Sequence, residues 1–266
     1  MCDDTQYELL DHTAYGDKNL SVLPTAIVLL TALIGCAPMG TVSSTPTPEE
    51  RYESGQRYLS RGYYERALEQ FSTLRNYYRD SVYGLRAELA IADVYFKQGE
   101  WDLARVSYDE FVRLHPSSED LDYAVYRLGL TSFKKASGVA DRDQTWTQVS
   151  VNVWTGFDVR FPDSEYLVEV QEFLAAGRNR LALKQLRIAR FYSNRDAWAA
   201  VVGRLEGMLR QYPESADTEE ALSLYGVGLV SVGRAGDAAS VAQRLVTEFP
   251  DSDGLRSLQA AAPELF

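Results

Sequence analysis

The side chains able to do chemistry are few and scattered. The chain of 266 residues holds two cysteines, Cys2 and Cys36, and two histidines, His12 and His115. Cysteine-ligated zinc sites and disulfide frameworks need clustered thiols, and no cysteine lies beyond residue 36. A histidine-centred triad has one candidate in the body, His115. It precedes Pro116 in what reads as a loop at a repeat end, where histidines are ordinary. Adjacent carboxylates stand at Glu49-Glu50 and Glu219-Glu220. Both pairs open expected helices, where the helix dipole favours negative charge, so neither calls for acid–base work. No glycine-rich phosphate loop and no nucleophile motif is present. With 38 acidic and 27 basic residues the net charge is −11, the opposite of what nucleic-acid binding needs. The chemistry to expect is recognition of other proteins, with no catalysis, metal or cofactor.

One thiol has a specific reading. Val22 to Ile34 is an uncharged apolar run of 13 residues. It is too short for the ~20 residues that span a bilayer as a helix, and it fits the core of a secretory signal. The run ends in Leu33-Ile34-Gly35-Cys36, which resembles a bacterial lipobox. There the small residue lets the signal peptidase reach the backbone, and the cysteine sulfur takes the lipid. On this reading residues 1–35 are a signal peptide and Cys36 is the lipidated first residue. Residues 36–48 form a Ser/Thr/Pro-rich tether. The stretch before Lys18 is acidic (Asp3, Asp4, Glu8, Asp11 and Asp17), unlike a signal's basic start. Ala37, where an aspartate would signal inner-membrane retention, leans toward the outer membrane.

The elements that position the rest come from an internal repeat. Gly55, Tyr58, Gly62, Tyr64, Ala67 and Phe71 recur as Ala92, Tyr95, Gly99, Trp101, Ala104 and Tyr108, each pair 37 residues apart. The spacing within a unit is that of the tetratricopeptide (TPR) helix pair, whose basic period is 34. Gly55 and Ala92 permit close helix approach. Gly62 and Gly99 supply the left-handed residue that ends a helix. Ala67 and Ala104 sit at a crossing where a larger side chain would overpack. Looser units follow with Gly129 and Phe133, with Ala189, Tyr192 and Trp198, and with Gly226, Gly233 and Ala238. Pro116, Pro162, Pro213 and Pro250 close them at intervals of 46, 51 and 37. The two long intervals predict an insertion at 136–145 and a longer junction after Pro162. Asp163, Glu214 and Asp251, each followed by serine, read as helix N-cap signals. No segment alternates with period two. The expected fold is all-α, a TPR-like right-handed α-solenoid of about five helix pairs.

In such a solenoid the first helix of each pair lines the concave face. Projection puts Tyr52, Gln56 and Leu59 there, then Arg86, Leu89, Asp93, Phe96 and Lys97, then Tyr123, Tyr126, Leu130, Phe133 and Lys134. Aromatics to bury side chains and cations to take carboxylates suit an extended peptide. Tyr77 and Tyr78, at a helix end, are expected to be exposed, and Tyr64 to be core.

These features together resemble the BamD family, lipoprotein subunits of the outer-membrane β-barrel assembly machinery. The resemblance runs from Cys36 to about Ser252. Besides the lipobox and the repeats it rests on Asp141-Arg142-Asp143-Gln144-Thr145 and on Phe161-Pro162-Asp163-Ser164-Glu165-Tyr166, the latter followed by a long helix reaching Tyr192. The chain departs from the pattern at Ser193-Asn194-Arg195-Asp196, which lacks a helix-ending glycine, and in a fifth unit without a large aromatic. The resemblance implies a lipid anchor in the outer membrane facing the periplasm. It implies that 49–121 receives C-terminal segments of unfolded outer-membrane proteins, with Arg86 and Lys97 taking a terminal carboxylate. It implies that 122–266 docks onto the barrel-forming subunit, with other assembly lipoproteins as possible neighbours. Another TPR lipoprotein, a secretin pilotin or a cell-envelope organiser, is the alternative.

Overall fold

The computed structural model describes residues 45–215 and 218–266. The apolar run, Cys36 and most of the tether lie outside the described residues. Thr45–Phe266 forms one compact unit.

Helix α1 (Pro48–Ser60) starts at a capping box. The Thr47 hydroxyl accepts the Glu50 N–H at 3.2 Å, and the Glu50 carboxylate accepts the Thr47 N–H at 2.9 Å. Pro48 sits in the first turn, where its missing N–H costs nothing. Gly62, at φ 76°, ends the helix, and the N–H groups of Gly62 and Tyr63 return to the carbonyls of Leu59 and Tyr58. Helix α2 (Tyr64–Tyr77) then packs back across Gly55, where a Cβ would lie 2.5 Å from the Phe71 ring. The second pair, α3 (Val82–Gln98) and α4 (Trp101–Leu114), repeats this design, with Ser81 capping α3 and Gly99 closing it. Ala67, Phe71, Ala104 and Tyr108 are fully buried, as their places in the repeat require. Burying a side chain such as Phe71 contributes about 1.5–3 kcal/mol.

The third pair departs from the expected form. Helix α5 (Leu121–Lys135) is followed by the insertion and by α6 (Thr145–Trp154). The second helix does not run on to residue 161. It stops after Trp154, Gly156 takes the left-handed conformation at φ 79°, and a short α7 (Phe157–Arg160) restarts. The insertion is held from inside by Gln144, which is buried. Its amide donates to the Val139 carbonyl at 2.7 Å and accepts the Thr147 hydroxyl at 2.6 Å.

Helix α8 (Leu167–Ser193) has 27 residues, so the extra length expected as a junction after Pro162 is helix. It braces the insertion through Arg180, which donates to the Ser137 carbonyl, and Arg187, which pairs with Asp141. Its partner is α9 (Trp198–Gln211). Asp196, at φ 56°, takes the left-handed place that glycine fills elsewhere. The fifth pair is α10 (Thr218–Ser231) and α11 (Ala235–Glu248), with Gly233 at its turn.

A last helix, α12 (Asp253–Ala261), packs on α10. Leu258 fills the space over Gly226, and the Glu219 carboxylate accepts the Gly254 N–H at 3.0 Å. Arg256, Ser257 and Gln259 face outward.

The expected serine caps hold only in part. Ser252 caps α12 by accepting the Leu255 N–H. Ser164 lies two residues before the N-cap of α8, Tyr166; its hydroxyl accepts the Tyr166 N–H at 3.2 Å and donates to the Asp122 carboxylate at 2.6 Å. The start of α10 adjoins residues outside the description. Among the described residues the fold is all-α, five TPR-type helix pairs and a closing helix.

Candidate functional site

A cleft of about 600 Å³ opens between the first helices of the pairs. Tyr52 comes from α1, and Arg86, Leu89, Ala90 and Asp93 from α3. Glu119 and Asp120 lie on the turn before α5, and Asp122 and Tyr123 on its first turn. Asp163 to Tyr166 close the cleft from the turn before α8.

Its floor is one polar knot. A single oxygen of Asp93 accepts the hydroxyls of Tyr108 and Tyr123 and lies 3.2 Å from the Arg127 guanidinium. Arg127 also donates to the Tyr108 oxygen at 3.0 Å and lies on the Phe96 ring. The side chains of Arg127 and Asp93 are only 13% and 19% exposed, so each charge depends on the other. Burial alone would lower the Arg127 pKa. Tyr108, Tyr123 and Asp93 around it outweigh that and raise it. Burial, and then the Asp93 charge, push the Tyr108 and Tyr123 hydroxyls well above the ordinary tyrosine range. Both phenols therefore stay protonated and serve as donors.

The walls are aromatic. Tyr123 packs against Tyr166 with ring centres 5.5 Å apart, and Tyr126 stacks on Tyr166 at 4.8 Å and 7°. The Tyr126 hydroxyl donates to Glu169 at 2.7 Å. The Tyr166 pKa is pushed up to about 12 by burial and by its bond to Glu165.

Of the residues projected from sequence, Tyr52, Arg86, Leu89, Asp93 and Tyr123 line this cleft. The others do not. Gln56 stands behind Tyr52 and donates to its hydroxyl. Leu59 packs into the apolar core between the first two pairs. Phe96 is covered by Arg127. Lys97 is exposed near the end of α3, away from the lining. Tyr126 is buried because the turn before α8 folds over it. Leu130 is core, Phe133 packs on Trp154 and Phe173, and Lys134 is exposed. Tyr77 is 80% exposed, whereas Tyr78 is half-buried and Tyr64 packs in the core.

Arg127 and the acidic turns escaped the projection. Asp163 to Tyr166 had been singled out as a phrase, and its proline-led turn was the available signal. His115 is not a free loop histidine: it is half-buried, with its Nε2 2.8 Å from Glu88 and its ring on Phe111. That makes it a packing residue. Among the described residues no acidic, histidine or cysteine group is arranged to hold a metal ion, and no helix is long and apolar enough to cross a membrane.

Comparison with known proteins matches residues 45–227 to a family described as "YfiO: Outer membrane lipoprotein". The outer membrane protein assembly factor BamD of Pasteurella multocida is 30% identical over 207 residues, covering 74% of this chain and 80% of that protein. The protein of the same name from Neisseria meningitidis serogroup A is 27% identical over 236 residues, covering 83% and 88%. A solved structure, the complex of the TPR2AB domain of yeast Sti1 with pHSP90, aligns at 11% identity over 82% of this chain and 84% of that one, with a TM-score of 0.42.

Proposed function

This chain belongs to the YfiO outer membrane lipoprotein family, and from that membership we propose that it is a non-catalytic scaffold of outer-membrane protein assembly. The relatives are named as assembly factors, and a chain of helix pairs around an aromatic-walled cleft is suited to holding a polypeptide.

The finer reading has three parts. A lipid on Cys36 holds the protein to the outer membrane, with the repeats in the periplasm. The cleft receives segments near the C-termini of unfolded outer-membrane proteins. It draws on 49–121 and also on Tyr123 and the turn before α8, beyond the boundary at residue 121. The remaining surface of 122–266 docks the barrel-forming subunit, with other assembly lipoproteins alongside. The observation that carries the cleft reading is the convergence of Tyr52, Tyr123 and Tyr166 from three different helix pairs on one opening.

Affinity purification of the tagged, membrane-extracted protein with mass spectrometry of its companions tests the scaffold reading. A large outer-membrane β-barrel protein with periplasmic repeats is the expected dominant partner. A secretin or peptidoglycan enzymes in its place would move the function to the pilotin or envelope-organiser alternative.

A further inference from the structure

We propose that the cleft selects extended segments carrying lysine or arginine beside an aromatic or aliphatic residue, and does not select a free terminal carboxylate. The inference rests on the reading of the cleft as a client site and specifies what that site recognises.

Charge decides it. Six carboxylates and one guanidinium line the opening. Asp93 is matched by Arg127 beneath it. Asp122 and Glu165 accept hydrogen bonds from Ser164 and Tyr166, neutral donors and not counterions. The carboxylates of Glu119, Asp120 and Asp163 take part in no ion pair or side-chain hydrogen bond among the described residues. Their turns are tied together by the bond between Ser164 and Asp122, so the three charges border one mouth. Facing them is Arg86 alone, which pairs with no carboxylate among the described residues, while Lys97 lies elsewhere.

A cavity of this size is about one screening length across at ordinary salt, roughly 10 Å. A carboxylate approaching Arg86 would therefore meet only partly screened repulsion from the rim. A lysine or arginine would meet attraction from it, with its methylene stem lying along the tyrosines that line the opening, Tyr52 and Tyr123 first. The apolar neighbour in the segment has the half-buried rings of Tyr52 and Tyr123 to cover, above Leu89 and Ala90, which are already buried.

The test is fluorescence anisotropy with the purified full chain and two amidated, labelled peptides. They alternate aromatic and polar residues and differ only in that lysines of one replace glutamates of the other. At low salt the lysine peptide is expected to bind about tenfold tighter, and high salt should erase most of that difference. The triple variant Glu119→Gln, Asp120→Asn, Asp163→Asn should weaken the lysine peptide about fivefold. Arg86→Ala removes the one cation of the opening and should tighten its binding. Equal affinity for both peptides would overturn the inference and leave the client cleft standing. Tighter binding of the glutamate peptide, or of a non-amidated version, with loss in Arg86→Ala, would overturn it in favour of a carboxylate site. Binding of neither peptide would overturn both the inference and the cleft reading, whatever partners are purified.

Discussion

Arg127 lies over the Phe96 ring, its guanidinium carbon 3.8 Å from the ring centre. The contact joins α5 to α3 beneath the cleft and completes the knot around Asp93. Arg127→Ala removes the ring contact and leaves the Asp93 charge buried without a counterion. It should destabilise the protein by about 3 kcal/mol in urea unfolding. Adding Asp93→Asn removes the uncompensated charge, so the double variant should be more stable than Arg127→Ala alone. A double variant no better than the single would show that the pair does not act as a unit.

Glycines in this chain divide by what a methyl group would meet. At Gly129 a Cβ would lie 2.3 Å from the Trp154 indole, itself fully buried. Gly129→Ala should cost about 1–3 kcal/mol through overpacking. At Gly203, in the exposed middle of α9, nothing lies within 4 Å. Gly203→Ala should raise stability by about 0.5–1 kcal/mol. Thermal melts of the two variants should move in opposite directions.

Asp196 holds a left-handed backbone that a side chain makes costly. Asp196→Gly should stabilise the turn between α8 and α9 by about 1 kcal/mol. A lowered melting temperature would mean that the aspartate side chain stabilises the turn by more than the strain costs.

The raised tyrosine pKa values set an alkaline limit. A group whose pKa is higher folded than unfolded favours folding fully below its unfolded value, about 10 for tyrosine. That advantage is lost as pH rises through the folded value, which for Tyr166 is about 12. Stability should therefore hold up to about pH 10 and fall between there and 12. The ultraviolet titration of tyrosinate should show a late fraction that Tyr108→Phe and Tyr123→Phe diminish.

Cys36→Ser removes the sulfur proposed to carry the lipid. The variant should leave the membrane fraction and appear soluble, with its repeats folded by circular dichroism. Retention in the membrane at wild-type level would sink the anchor proposal.

The repeat was legible because its residues answer local steric demands. Gly62 and Gly99 end helices that need a left-handed residue, and Ala67 and Ala104 sit where nothing larger fits. The break at Gly156 was less legible, since one glycine can end a helix or be carried within it. The cleft was legible by half. Helical projection found the wall residues on α1, α3 and α5 because periodicity fixes which way they face. It also put Lys97 in the groove, where the lining does not extend. The acidic rim was hidden because turns carry no periodicity and meet only in the fold. Arg127 was hidden because its four partners, Phe96, Asp93, Tyr108 and Tyr123, lie on three different helices.

A stack of helix pairs has no built-in stopping rule, because each pair offers the next an apolar flank. In this chain α12 occupies that flank with Leu255 and Leu258 and turns Arg256, Ser257 and Gln259 outward. The consequence is colloidal. A second copy meeting this face finds a polar helix surface in place of an apolar flank, which works against pairing of copies there.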